Sequence, residues 1–410
     1  MHNIENSILT RNNAMKIIIF FGLISLCGDI IYEGARSVNG PYLKLLSANA
    51  ALVGLIAGLS EFFGYFIRMA TGYFADKKNM HWTFTIIGYG LLVSVPLMAF
   101  AGIWQIAALF IVAERLGKAV RSPAKDTIVS LSAKKIGTGF GFGILEALDQ
   151  LGALAGPLIF TGLFFFLKDG EKTISDYQKG YSFFWIFFVL LMIFVFTAYS
   201  KFSKKADFYE EKKIDTSEEL PKIFWLYTLF IFITTMGFVN FILYAYHFKK
   251  TGAFNDYQIP LFYSIAMIID GAAAVVIGKI YDILKAKLKN EFAGILTLII
   301  LPIFSMIIPF FGFSNNFLFI MISVCVWGIV MAGHETIMKS AIADMTTLKK
   351  RGTGYGIFNA VYGISMLIGA TGAGYLYEKN LKFVIIASVL CELLSLIVLY
   401  KIYREVKIKK

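Results

Sequence analysis

The chain has 410 residues, of which 58% are hydrophobic and only 16% charged, with a formal net charge of +12. Soluble domains run near a quarter charged and are less apolar, so this composition excludes an ordinary soluble protein. It leaves room for about a dozen bilayer crossings of about 20 residues each, and for no separate soluble domain. The basic excess does not indicate a nucleic-acid binder, because it lies between apolar runs and not on one basic surface interleaved with aromatics.

The first apolar run follows Arg11 and Lys16. Its IIIFFGLISLC core has the look of a signal peptide, but no small-residue cleavage site follows, and Leu26 before Cys27 does not suit a lipoprotein signal. It reads as a retained transmembrane helix. Six candidate spans cover 14–35, 48–74, 82–101, 104–120, 139–167 and 180–199. A polar stretch rich in both signs of charge, residues 201–220, reads as a solvated linker. Six more spans cover 223–247, 259–284, 292–311, 316–339, 352–377 and 381–403. With the N-terminus inside, cytoplasmic loops and tails carry roughly 28 Lys and Arg against roughly nine on the other side, which puts both termini and the linker in the cytoplasm. Cys27, Cys325 and Cys391 sit within apolar runs without C-x-x-C spacing, so neither disulfides nor a metal site are expected.

Charge interrupts the fourth span at Glu114–Asp126, ERLGKAVRSPAKD, where Glu114, Lys118, Arg121 and Lys125 share one helical face. Pro123 is expected to end that helix. Charges at membrane depth are costly, face a bundle interior and mark pathways. By that argument Asp29, Glu33, Glu61, Glu146 and Asp149 are candidates for proton coupling. Static pairing of the first three with Arg36 or Arg68 is the alternative. In the second half, Asp270 and His334 are candidate cavity residues, and Asn240, Asn359 and Tyr362 are candidate hydrogen-bonding partners for a substrate. His334-Glu335 begins like a zinc H-E-x-x-H motif, but Met338 stands where the second His belongs. No G-x-x-x-x-G-K-[ST] loop is present, which disfavours ATP-driven transport.

The two halves echo each other. Gly72–Lys78 (GYFADKK) at the end of the second span matches Gly278–Asp282 at the end of the eighth, and Gly137–Gly141 opening the fifth matches Gly352–Gly356 opening the eleventh. Paired repeats of this kind place a binding site near mid-membrane.

Taken with the Gly72–Lys78 loop, the Glu114–Asp126 segment and Gly152–Gly162 (GALAGPLIFTG), the chain resembles the major facilitator superfamily over essentially its whole length. The resemblance implies an all-α membrane protein, with twelve transmembrane helices in two pseudo-symmetric six-helix bundles spanning 1–200 and 221–410. It implies a proton-coupling role for Arg115, a cytoplasmic gate involving Gly72, Asp76, Arg121 and Asp282, and a slight lean to export from the glycine-proline segment. Departures are His81-Trp82 in place of a further basic pair, Ala119 in place of a glycine, and a missing double glycine after Gly156-Pro157. The expected function is secondary active transport of a small solute by alternating access, proton-coupled, in the plasma membrane of a monomeric protein without cofactors. Uptake by uniport or symport, a membrane-embedded enzyme built on His334-Glu335-Lys339, and a non-transporting receptor are the alternatives.

Overall fold

The computed structural model describes residues 10–78, 80–167, 170–203, 220–288, 293–347 and 350–408. Side chains at 76–78, 339 and 407–408 fall outside that description. Among the described residues all regular structure is helical. Twelve transmembrane elements follow in order. They are α1 (Arg11–Leu45), α2 (Ala50–Lys78), α3 (His81–Phe100), α4 (Trp104–Ile136), α5 (Thr138–Phe166), α6 (Ile174–Phe202), α7 (Lys222–Thr251), α8 (Gln258–Leu288), α9 (Ala293–Gly312), α10 (Phe317–Met345), α11 (Arg351–Lys379) and α12 (Leu381–Ile408). All but α4 are long and apolar enough to cross a bilayer by length and composition. The exception is the helix that carries the charge cluster.

Local chemistry sets the boundaries. Thr10 caps α1 by accepting from the Asn13 N–H, and Thr173 with Asp176 forms a capping box at the start of α6. Between α4 and α5 the only non-helical residue is Gly137, whose φ of 108° is open to glycine and strained for other residues. Its repeat partner Gly352 lies inside the first turn of α11, so the shared glycine motif serves two geometries. Pro123 does not end α4, which runs on to Ile136. Its ring packs toward Gly72 on α2, where an added Cβ would lie 3.4 Å from it. A proline in mid-helix forfeits one backbone hydrogen bond, a loss the packing of α2 on α4 accompanies without breaking the helix.

The chain divides into two compact units. The first contains Met1–Ser47, Phe63–Glu211 and Asn255–Leu261, and the second Ala48–Phe62, Lys212–Phe254 and Phe262–Lys410. The linker expected over 201–220 lies for the most part outside the described residues. In the first unit α1 packs on α4, α5 and α6. The approach of α5 is extreme: a Cβ at Gly152 would sit 2.7 Å from the Asp29 Cβ, and one at Gly156 would collide with the Ile30 carbonyl oxygen. Small residues permit such contact between helices in lipid. In the second unit, α7 packs on α11 and α12, and Gly54 and Gly58 of α2 press on Ala370 and Leu367 of α11. Large apolar side chains such as Leu109, Phe166, Val275 and Tyr400 point outward, the pattern of a lipid-facing surface.

Gly156→Ala is expected to destabilise the protein by about 1–3 kcal/mol through overpacking. Gly162→Ala, with nothing within 4 Å of the new methyl group, is expected to be neutral or stabilising by about 0.5–1 kcal/mol. Denaturant titration in micelles, followed by helical circular dichroism, reads both.

Candidate functional site

The polar interior of the first unit is built on α1, α4 and α5. Asp29 and Glu33 lie one turn apart on α1 and both are buried. Glu33 accepts a hydrogen bond of 2.8 Å from Arg36 Nη1. The Gly152 contact brings α5 onto α1 beside Asp29, with Asp149 one turn earlier on α5 and Lys118 of α4 reaching Tyr32, one turn along α1. On α4, Glu114 and Arg115 are buried and adjacent, with Arg115 Nε 3.6 Å from Glu114 Oε2. Glu114 Oε1 and Asp149 Oδ1 have no hydrogen-bond partner among the described residues.

The remaining α4 cations gather around two tyrosines. Lys118 Nζ donates to the Tyr32 hydroxyl at 3.2 Å and lies 4.4 Å from the Tyr32 ring centroid. Arg121 is buried, with its guanidinium 4.9 Å from the Tyr89 ring and 5.7 Å from that of Tyr32. Lys125 Nζ donates to Ser25 Oγ at 3.2 Å. Aromatic faces stabilise cations most where water is excluded, so Tyr32 and Tyr89 help hold basic charge inside the helical layer. Neither tyrosine stood out in the sequence, where they read as ordinary apolar-run residues.

In the second unit the centre is an interruption of α7. Its first part ends at Gly237, and its second starts at Phe241, capped by Asn240, whose side chain accepts from the Ile242 N–H. The intervening carbonyls find partners on other helices: Ser388 Oγ donates to Gly237 O at 2.7 Å, and Trp327 Nε1 to Val239 O at 3.2 Å. Opposite the break, α10 widens into a π-turn over Gly333–Ile337 that carries His334. The His334 ring packs 5.0 Å from that of Phe238, and its Nδ1 lies 2.9 Å from the Tyr362 hydroxyl. His334 Nε2 has no hydrogen-bond partner among the described residues. Broken helices and π-turns are recurrent at transport and binding sites.

The other expected residues are scattered. Glu61 is buried on the part of α2 that belongs with the second unit. Arg68 stands over the Tyr65 ring at 5.1 Å. Glu146 is exposed and accepts from Gln150. Asp270 is buried on α8, and Asn359 is half-buried on α11, three residues before Tyr362. Asp282 is exposed, Gly72 faces Pro123, and the side chains of Asp76 and Lys339 lie outside the described residues. One buried acid was missed: Glu392, in the middle of α12 and fully buried. The signal was available, since it is the single charge in the run from Phe383 to Tyr400.

Twelve spans with charge held inside the helical layer define a multi-pass integral membrane protein of transporter type. A family model described as Major Facilitator Superfamily matches residues 22–370 and, in a second match, 292–409. The chain belongs to the major facilitator superfamily, and is a transporter and not an enzyme. It is 32% identical over 404 residues to an uncharacterized protein of Mycobacterium tuberculosis (strain ATCC 25618 / H37Rv), covering 95% of this chain and 93% of that one. It is 24% identical over 407 residues to an uncharacterized MFS-type transporter of Methanocaldococcus jannaschii, covering 97% and 98%. Among solved structures, the nucleoside transporter NupG aligns with a TM-score of 0.68 at 13% identity, over 95% of this chain and 99% of that one. A bacterial homolog of the human lysosomal transporter Spinster, inward-facing and unoccupied, aligns at 0.70 and 12% identity, over 96% and 97%. These likenesses establish the fold.

Ser388→Ala leaves the Gly237 carbonyl without its donor. It is expected to lower stability by about 1–3 kcal/mol, measured by thermal unfolding in micelles, whereas Ser182→Ala on the exposed face of α6 is expected to change nothing.

Proposed function

We propose that the chain is a secondary active transporter of a small organic solute, working by alternating access and driven by a proton gradient. The observation that carries this reading is the burial of Asp29 and Glu33 on α1 where Gly152 brings α5 against Asp29, one turn from Asp149, with Lys118 of α4 on the Tyr32 hydroxyl. Two neighbouring carboxyl groups in a medium of low dielectric constant disfavour both being ionised, and a nearby lysine makes the charge state of the group sensitive to its surroundings. A purely structural pair needs only one acid and one base, and Glu33 with Arg36 already fills that role.

Arg115, beside Glu114, modulates the cluster from α4. Substrate contacts in the second unit fall to His334 and Tyr362, at the α7 interruption, with Asp270 and Asn359 as further polar contacts. Asn240 caps a helix with its side-chain oxygen and keeps its amide nitrogen for a ligand. Glu61 and Glu146 are secondary coupling candidates. Gly72, Asp76, Arg121 and Asp282 form the cytoplasmic gate, on the side where loop charge puts both termini and the 201–220 linker, and the membrane is the plasma membrane. The protein works as a monomer. Export is favoured over uptake by the resemblance of Gly152–Gly162 to the antiporter segment.

The test is proton flux in proteoliposomes holding purified protein, challenged with a solute panel under an imposed pH gradient. Solute-dependent proton movement is expected in wild type, and a fall of at least about tenfold in the Asp29→Asn, Asp149→Asn double variant. Solute movement that ignores the gradient and survives the substitutions would overturn coupling and leave uniport. If the protein binds solutes and moves none, it is a receptor.

A further inference from the structure

We propose that Glu392 is a second proton-binding site, in which a carboxyl group takes up and releases a proton at the point where α7 is interrupted. Glu392 lies near the middle of the Leu381–Val406 span and is fully buried. Thr234 Oγ1 of α7 donates to Glu392 Oε2 at 2.7 Å, and Ser395 Oγ, one turn on along α12, lies 3.2 Å from the same oxygen. Glu392 Oε1 has no partner at hydrogen-bonding distance among the described residues, and the Ser305 hydroxyl of α9, likewise unpartnered there, approaches the same carboxyl. Oε1 faces the bare Cα of Gly237, where a Cβ would lie 3.1 Å from it.

Among the described residues no ion pair to this carboxyl is found. The helices packed on α12 in this unit are α7, α9 and α11. From Ile223 to Gly237 α7 has no charged side chain, and its only titratable group is Tyr227, whose hydroxyl donates to Met338 O. In α9, Ala293–Gly312 has no titratable group at all. From Thr353 to Tyr377 α11 has only tyrosines, Tyr355, Tyr362, Tyr375 and Tyr377. On α12 itself, Cys391 is the neighbouring titratable group, and the nearest charges along the helix are Lys382 and Lys401.

Hydroxyls accept as well as donate, so this shell suits a carboxyl in either state, which a fixed ion pair does not. The end of the first part of α7 presents the negative pole of its dipole to Oε1, a position that favours a proton there. Uptake forms one O–H bond on Oε1 and takes the side chain from minus one to zero, with no electron moved. Release returns the proton to water. The state of the site is felt directly by Thr234, three residues before the break, and by Gly237 at the break. Protonation in the second unit thereby reaches the segment that holds Phe238 against His334. The site extends the proposed proton coupling beyond the acids of the first unit, and it can be tested without a substrate.

Infrared difference spectra between acidic and alkaline buffer, on purified protein in lipid nanodiscs, test it. Among the carboxylic-acid carbonyl bands of wild type, one component is expected that is lost in Glu392→Gln and retained in Asp29→Asn. If Glu392→Gln does not fold, Gly237→Ala, which crowds Oε1, is expected to shift that component. A wild-type spectrum without that component, a set of bands that Glu392→Gln leaves intact, or a component that Gly237→Ala leaves unmoved overturns the proposal. So does a component abolished at constant pH by exchanging potassium for sodium, which makes this a sodium site. Failure of coupled flux in proteoliposomes alone would count against the transport reading and leave this assignment standing.

Discussion

Hydrocarbon offers no hydrogen bond, so every backbone polar group at membrane depth must be satisfied within the protein, and charged side chains must turn away from lipid. That constraint decides how this molecule is assembled. In the first unit it is met by bringing helices into backbone contact. Gly152 and Gly156 let α5 lie against Asp29 and Ile30 of α1, and the same approach carries Asp149 to its place. The packing device and the electrostatic cluster are one feature seen from two sides. Replacing the glycines to strengthen the helix would move the acids.

The second unit meets the constraint differently. Its α7 gives up helical hydrogen bonds at Gly237–Asn240, and other helices supply the missing partners through Ser388, Trp327 and the Asn240 cap. Unwound backbone is tolerated in a membrane only where protein or a cavity satisfies it, and its presence implies that local geometry there outweighs the cost. The π-turn of α10 at His334 is a companion distortion, again at a residue with an open hydrogen-bonding position.

The spans were legible because apolar runs of bilayer length are the strongest signal a sequence carries. The charge stripe on α4 was legible for the same reason, against an apolar background. What escaped was whatever depends on partners far away in sequence. The break in α7 is held by residues 151 and 88 positions distant. Pro123 reads locally as a stop, yet α4 continues through it with Gly72 of α2 packed beside its ring. Asn240 reads as a ligand contact, yet its oxygen serves the backbone two residues on. Arg121 reads as an interfacial charge and is buried over two aromatic rings. Glu392 was the opposite case, visible as a lone acid in an apolar run and overlooked because only denser clusters drew notice.

The start of α2 has a bearing on how the chain is made. The Ala50 N–H, at the second helix, is capped at 2.6 Å by Glu378 Oε1, 328 residues further on. The first part of α2 therefore leaves the ribosome early, yet it completes its packing only after α11 has been synthesised. Throughout most of translation that segment is an unfinished surface, its glycine face turned to lipid or to a chaperone. Final assembly is thus a late event closed from the C-terminal end. A chain cut at the central linker would divide both units, since each borrows a segment from the other half of the sequence.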